Sequence, residues 1–233
     1  MVDSISAGQT DYCYVQKLLW RECGKGFVMP KGSEELTNAR KEEIINACAS
    51  LYKTMSFRDI TIRDIGEKTS FTRTSIYNYF QTREEIFLAL LKREHEMWSA
   101  DLEGIVRTHD TMSVEAFADA LAATLEKRSC MLKLMSMNLY DMESNSRMEN
   151  LVEFKKAYAG ALGAVRRCME KFFPDMSVTD IQEFVYMLFP FLFGVYPYTT
   201  ATEKQREAME LAHVEQVSYS VREIVRLFVS KLL

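Results

Sequence analysis

Four consecutive residues, Thr72, Arg73, Thr74 and Ser75, combine short hydroxyls with one long cation. At the start of a helix such a set can reach base edges in the major groove of a duplex. An Arg pairs bidentately with guanine O6 and N7, and a Thr methyl can touch a thymine methyl. Tyr77, Asn78, Tyr79 and Arg83 come soon after and suit phosphate or sugar contacts, which set register more than they read sequence. Thr61 and Thr72 stand at expected helix starts, where unpaired backbone N–H groups and the helix dipole favour a phosphate. Arg63 adds a cation beside them. The bland alternative is a surface helix whose polar residues face only water.

These side chains need elements to hold them. Ile44, Ile45, Cys48, Leu51, Tyr52 and Met55 recur at three and four residues, predicting a helix from Asn38 to Thr54 with one buried stripe. A second helix opens at Thr61 with Asp64 three places on, a capping-box pattern, and turns Ile62 and Ile65 inward. Thr69 and Ser70 make a turn. A third helix opens at Thr72, runs to about Tyr79 and buries Phe71, Ile76 and Phe80. A fourth opens at Thr82, with Glu85 completing a capping box, and carries Ile86, Phe87, Leu90 and Leu91 toward Trp98. Two short helices joined by a tight turn, the second rich in hydroxyls, Arg and Tyr, form a helix-turn-helix pattern. Between residues 40 and 83 eight bases face five acids, a local excess of three on a chain of net charge −4. That asymmetry has the sign expected of a basic head on an acidic body.

Residues from about Arg40 to Leu91 resemble the DNA-binding domain of the TetR family of bacterial transcriptional repressors. The carrying stretches are Ile44 to Leu51, Thr61-Ile-Arg-Asp-Ile65, Thr74-Ser-Ile-Tyr-Asn-Tyr-Phe80 and Arg83-Glu-Glu-Ile86. By position, the resemblance makes Arg73 and Ser75 base readers and Thr61, Tyr77, Tyr79 and Arg83 phosphate contacts. Two positions depart from the family pattern. Ser70 stands where a turn Gly is usual, and Gly66 stands where Ala is frequent. The resemblance implies a fold that is all-α: a three-helix DNA-binding domain at 34–82, then a larger helical domain at 83–233 that dimerises and binds a small-molecule effector. Its partners would be a double-stranded DNA operator and a second copy of the chain, with no cofactor. Effector identity does not carry over, because this half diverges across the family. The helices at 177–193 and 203–232 are expected to form the dimer face, since the family pairs its last long helices.

The remaining chain supports that frame. Of 233 residues, 48% are hydrophobic, with only 4 Pro and 9 Gly, which favours long helices around a packed core. Ser113 to Lys127 is amphipathic. Ser146 with Glu149 is expected to cap a long helix that Pro174 ends, and Ser177 with Asp180 the next, which the Gly194 to Pro197 stretch should break. Met131, Met135, Tyr140, Tyr158, Phe184 and Met187, with Met137 and Met142, are candidates to line an adaptable apolar pocket; plain core packing explains the same spacing. Residues 1–33 show only weak periodicity, unlike the helical chain beyond them, and read as a dispensable extension.

Other functions lack their signatures. Five Cys are widely spaced without a CxxC pair, so zinc spacing is absent. Cys130 is the thiol to consider for redox control, and regulation by a protein partner is a further alternative to a small ligand. A di-iron bundle needs two Glu-x-x-His units, and only Glu210-Leu-Ala-His213 is present, so an enzyme is not expected. No apolar run is expected to span a bilayer and no secretory leader is evident, so a cytoplasmic location is the default.

Overall fold

The computed structural model describes residues 31–215 and 217–233, and the chain divides into two compact units, Met1–Arg40 and Lys41–Leu233. The expected extension at 1–33 lies almost wholly outside the described residues. The helices are α1 (Lys31–Tyr52), α2 (Ile62–Gly66), α3 (Arg73–Ile76), α4 (Arg83–Thr108) and α5 (Val114–Glu126). They continue as α6 (Ser129–Ser144), α7 (Met148–Phe172), α8 (Val178–Thr199), α9 (Glu203–Leu211) and α10 (Val221–Leu232). No strand occurs among the described residues, and the fold is all-α.

α1 begins seven residues earlier than its apolar stripe suggested. Glu34, Glu35 and Leu36 are good helix formers, and Glu34 lies in the first turn, where the dipole favours an acid. α3 has only four helical residues, and its turns continue to Phe80 through Tyr79 N–H and Phe80 N–H, both donating to the Ile76 carbonyl.

In the body, α4 packs against α6 and α7, α8 against α6, α7 and α10, and α10 against α5. Trp98 of α4 is fully buried, and its Nε1–H donates to Thr124 Oγ1 at 3.0 Å. Burying so large a ring without that partner would orphan a polar atom.

Two expectations on this half fail. The chain does not break at Gly194–Pro197: α8 runs on to Thr199 with Pro190 and Pro197 inside it. Each proline removes one helical hydrogen bond, but Leu192 and Val195 between them are buried in the core and hold the segment. Nor does Ser146 cap α7. Its hydroxyl donates back to the Met142 carbonyl at 2.7 Å, and Arg147 takes the N-cap position with no side-chain cap bond. α8 also reaches the length and apolarity of a membrane span, contrary to the expectation from its apolar runs. Its apolar residues divide between the core, from Ile181 to Val195, and an exposed set that includes Tyr186 and Met187.

Candidate nucleic-acid interface

The head is built from small devices. Thr61 Oγ1 accepts from the Asp64 amide at 3.2 Å, and the Asp64 carboxylate accepts from the Thr61 amide at 2.8 Å, so the expected capping box forms. The hydrogen bonds from the Thr61 side chain and amide hold the Asp64 carboxyl below its ordinary value. Gly66 closes α2 at the point where α3 starts: a Cβ there would lie 3.4 Å from Arg73 Cα, an ordinary contact. Ser70, in the place of a usual Gly, needs no left-handed backbone, because His213 is the only described non-glycine residue with positive φ. Instead Glu43 of α1 grips it, accepting from the Ser70 amide and from its hydroxyl. Ile65, Ile76 and Phe80 are buried beneath this frame.

What the frame presents is polar and open. Thr72, Arg73, Thr74, Tyr77 and Asn78 are exposed, and Ser75 and Tyr79 are half-buried. Thr72 and Ser75 share a hydroxyl–hydroxyl contact of 3.1 Å, and the Thr72 side chain does not cap α3. Among the described residues Arg73 reaches only the Tyr77 hydroxyl, at 3.4 Å. Thr61 and Arg63 are also exposed, with Arg63 in a solvated pair to Glu67.

Arg83, expected to contact a phosphate, is instead tied into the fold. Its Nη1 donates to the carbonyls of Phe57, Arg58 and Ile60, its other edge pairs with Glu84, and its guanidinium lies 4.7 Å from the Phe57 ring centroid. Most of its donors are thus engaged within the fold, and its side chain keeps 23% of its surface exposed.

Next to it lies the joint with the body. Glu85 is fully buried and does not complete the box with Thr82. Thr82 Oγ1 accepts from the Glu85 amide at 3.1 Å, but the carboxylate turns to Arg147 at the start of α7. Arg147 Nε and Nη2 reach its two oxygens at 2.6 and 2.9 Å, and the amides of Gln81 and Arg147 add further bonds. Burial pushes the Glu85 carboxyl up, but these donors outweigh it and hold the group below its ordinary value. Arg147 also donates to the Tyr79 carbonyl, and Thr82 Oγ1 donates to the Asn145 carbonyl at 2.9 Å. Two further ties run from α6 to α1: the Tyr52 hydroxyl to Asn138 at 3.0 Å, and Lys133 Nζ to the Tyr52 carbonyl at 3.2 Å.

The six pocket candidates scatter. Met131 and Phe184 are buried in the core, while Tyr140 and Met187 face solvent. Met135 and Tyr158 line a cavity of about 120 Å³ with His95, Leu139, Phe154 and Phe193. An open groove of about 370 Å³ adjoins it through the shared walls Met135, Leu139 and Phe193, and includes Tyr140. A third hollow of about 400 Å³, lined by Tyr52, Lys53, Glu94, Lys127 and Cys130, lies where the end of α1 meets the start of α6. Burial, and after it the Glu94 charge, pushes the Cys130 thiol up to about 12, so little reactive thiolate is available for oxidation.

Residues 44–90 match the family described as "Bacterial regulatory proteins, tetR family", and residues 92–233 match "Tetracyclin repressor-like, C-terminal domain". The chain belongs to the TetR family. TetR-family members are DNA-binding transcription regulators rather than enzymes, and this chain is one of them. It is 32% identical over 63 residues to an uncharacterized HTH-type transcriptional regulator, YfiR, of Bacillus subtilis, covering 27% of this chain and 31% of that one. It is 26% identical over 101 residues to the HTH-type transcriptional repressor Rv1474c of Mycobacterium tuberculosis, covering 42% of this chain and 54% of that one. The chain thus spans well under two thirds of either relative. Among solved structures, the FadR regulator of Bacillus subtilis, in complex with stearoyl-CoA, superposes with a TM-score of 0.54 over 82% of this chain and 96% of that one, at 13% identity. That likeness establishes the shared TetR-family fold.

Local spacing picked out the exposed polar face of α3 but not the contacts of Glu43, Glu85, Arg147 and His95. The partners of the first three lie 27 or 62 residues away in sequence, and no short motif encodes them. The lone Glu210-x-x-His213 unit is also explained. His213 adopts φ 53° after α9, its amide bonding to Glu210 and that of Val214 to Met209, a Schellman end to the helix.

Proposed function

We propose that this chain is a cytoplasmic, ligand-responsive repressor that binds a palindromic double-stranded DNA operator as a homodimer and is released by a small-molecule effector. One observation carries the DNA reading: among the described residues the side chains at the front of α3 bond only to one another and to Tyr77, while the neighbouring Arg83 and Glu85 are tied into the fold. Arg73 and Ser75 read base edges. Thr61, Arg63, Thr72, Thr74, Tyr77, Asn78 and Tyr79 contact backbone or flank the readers. In this reading residues 34–82 bind DNA and 83–233 bind effector and pair.

The pairing face is α8 with α10. Tyr186, Met187 and Pro190 form an exposed apolar stripe on α8, and α10 packs beside it through Phe228, stacked on Phe191 at 3.8 Å. A two-fold dimer sets two reading helices about one DNA turn, ~34 Å, apart, and so reads two half-sites. α4 carries both the clasp at Arg83 and Glu85 and the cavity residue His95. An effector that favours a shifted α4 spoils the spacing, with a coupling typically of ~1–3 kcal/mol.

Footprinting the duplex upstream of the chain's own gene tests this. A protected palindrome, salt-dependent and lost in a monomeric variant, is the expected result. Arg73→Ala should relax preference at one base pair by ~1–3 kcal/mol. Unchanged affinity and base preference in that variant would remove Arg73 as the reader. Sequence-independent binding at moderate salt would remove the operator reading itself.

A further inference from the structure

His95 sits within α4, with 0% of its surface exposed. Its Nδ1 lies 2.9 Å from the Leu91 carbonyl, one turn back along the helix. A carbonyl oxygen can only accept, so Nδ1 carries the proton. The ring meets the edges of Phe154 and Tyr158 at 5.6 and 5.8 Å, an apolar surrounding that keeps it neutral. Nε2 is then a bare lone pair, and it has no partner among the described residues. A buried acceptor left unpaired is costly, and this one belongs to a side chain that lines the cavity of about 120 Å³.

The rest of the wall fixes what fits. Met135, Leu139, Phe154, Tyr158 and Phe193 supply apolar and aromatic surface. Lys155 is the cation of the wall, paired to Glu143 at 2.6 Å and lying 5.2 Å from the Phe154 ring centroid, which disfavours a second cation. A void of about 120 Å³ compares with the ~150 Å³ engineered cavities that admit benzene. It takes one ring or a short branched chain, and a stearoyl chain is far too long for it. The open groove lies against three of its walls, Met135, Leu139 and Phe193.

We propose that this cavity is the specificity point of the effector site, and that it takes a compact neutral aromatic or branched head group whose hydroxyl or N–H donates to His95 Nε2. The assignment rests on the reading that the body binds an effector, and it names the class of that effector. It also places the ligand's polar anchor on α4, the helix that begins with the clasp on the head.

Calorimetric titration of the full chain, without DNA, against phenol, toluene and anisole tests it. The three share a ring, but only phenol brings an O–H. Phenol should bind roughly tenfold tighter than either of the others, the worth of one buried hydrogen bond. His95→Phe should erase the difference. Equal binding of phenol and toluene, no binding of any probe, or a preference that survives in His95→Phe overturns the assignment. If His95→Phe does not fold, ¹⁵N NMR of the native imidazole serves. A shift of the Nε2 resonance with phenol and not with toluene supports the proposal, and an unmoved resonance, as from a resident water, overturns it. Operator binding is measured separately, so failure of the DNA reading would appear there and not in these titrations.

Discussion

Arg73 and Arg83 lie ten residues apart in sequence, and both suggest cations for a nucleic acid. The structure separates them. Arg73 extends from an open face with one long contact, to Tyr77, whereas Arg83 is locked on three carbonyls, a carboxylate and a ring. The same contrast holds between regions: the front of α3 is exposed, whereas Arg83 and Glu85 at the start of α4 are tied into the fold. A charge in a binding domain is therefore free or committed according to distant main-chain groups, not according to its neighbours in sequence.

The contrast can be tested by removing each class of group. Arg147→Ala should have the largest effect, about 3 kcal/mol in urea unfolding, because it leaves the Glu85 carboxylate buried without its counter-ion. A loss below ~1 kcal/mol would mean that water replaces the guanidinium freely. Arg83→Ala should cost about 2 kcal/mol by orphaning the Phe57, Arg58 and Ile60 carbonyls. Arg73→Ala should change stability by less than ~0.5 kcal/mol, as surface substitutions do, and show its effect only on DNA. If the two Arg variants unfold alike, the division between free and committed cations collapses.

Acid sharpens the same point. Glu85 is held below its ordinary 4.5, so its contribution is fully present above that value and is lost as pH falls through the lower folded value. The native chain should lose stability faster below about pH 4.5 than Glu85→Gln does, read from thermal midpoints across an acid series. The smallest effect expected is a gain. Gly66→Ala meets only ordinary contacts at Arg73 and should stabilise by about 0.5 kcal/mol through helix propensity and a less flexible unfolded chain. A destabilised variant would show that α2 and α3 pack too closely for a methyl.

The head was legible because its devices are local. Thr61 with Asp64, the inward Ile62, Ile65 and Ile76, and the hydroxyls of α3 all declare themselves within a few residues. The joint was not. Ser146 and Glu149 have the spacing of a cap, yet the Glu85 carboxylate draws Arg147 into the cap position. Thr82 and Glu85 have it too, and only half the box forms, for the same reason. In α8 a sound local rule about proline yielded to packing at Leu192 and Val195. Of the six pocket candidates only Met135 and Tyr158 border the cavity of about 120 Å³: helical spacing finds apolar positions, but whether a Met borders a void, as Met135 does, or fills the core, as Met131 does, depends on helices distant in sequence.

The fastening at the joint falls largely on backbone. Arg83 holds three carbonyls of the head, Arg147 holds the Tyr79 carbonyl, and Glu85 receives the Gln81 amide. Main-chain atoms are the same whatever side chains surround them. The polar positions among residues 72–78 can therefore change, with Ile76 kept in the core, without touching these main-chain bonds.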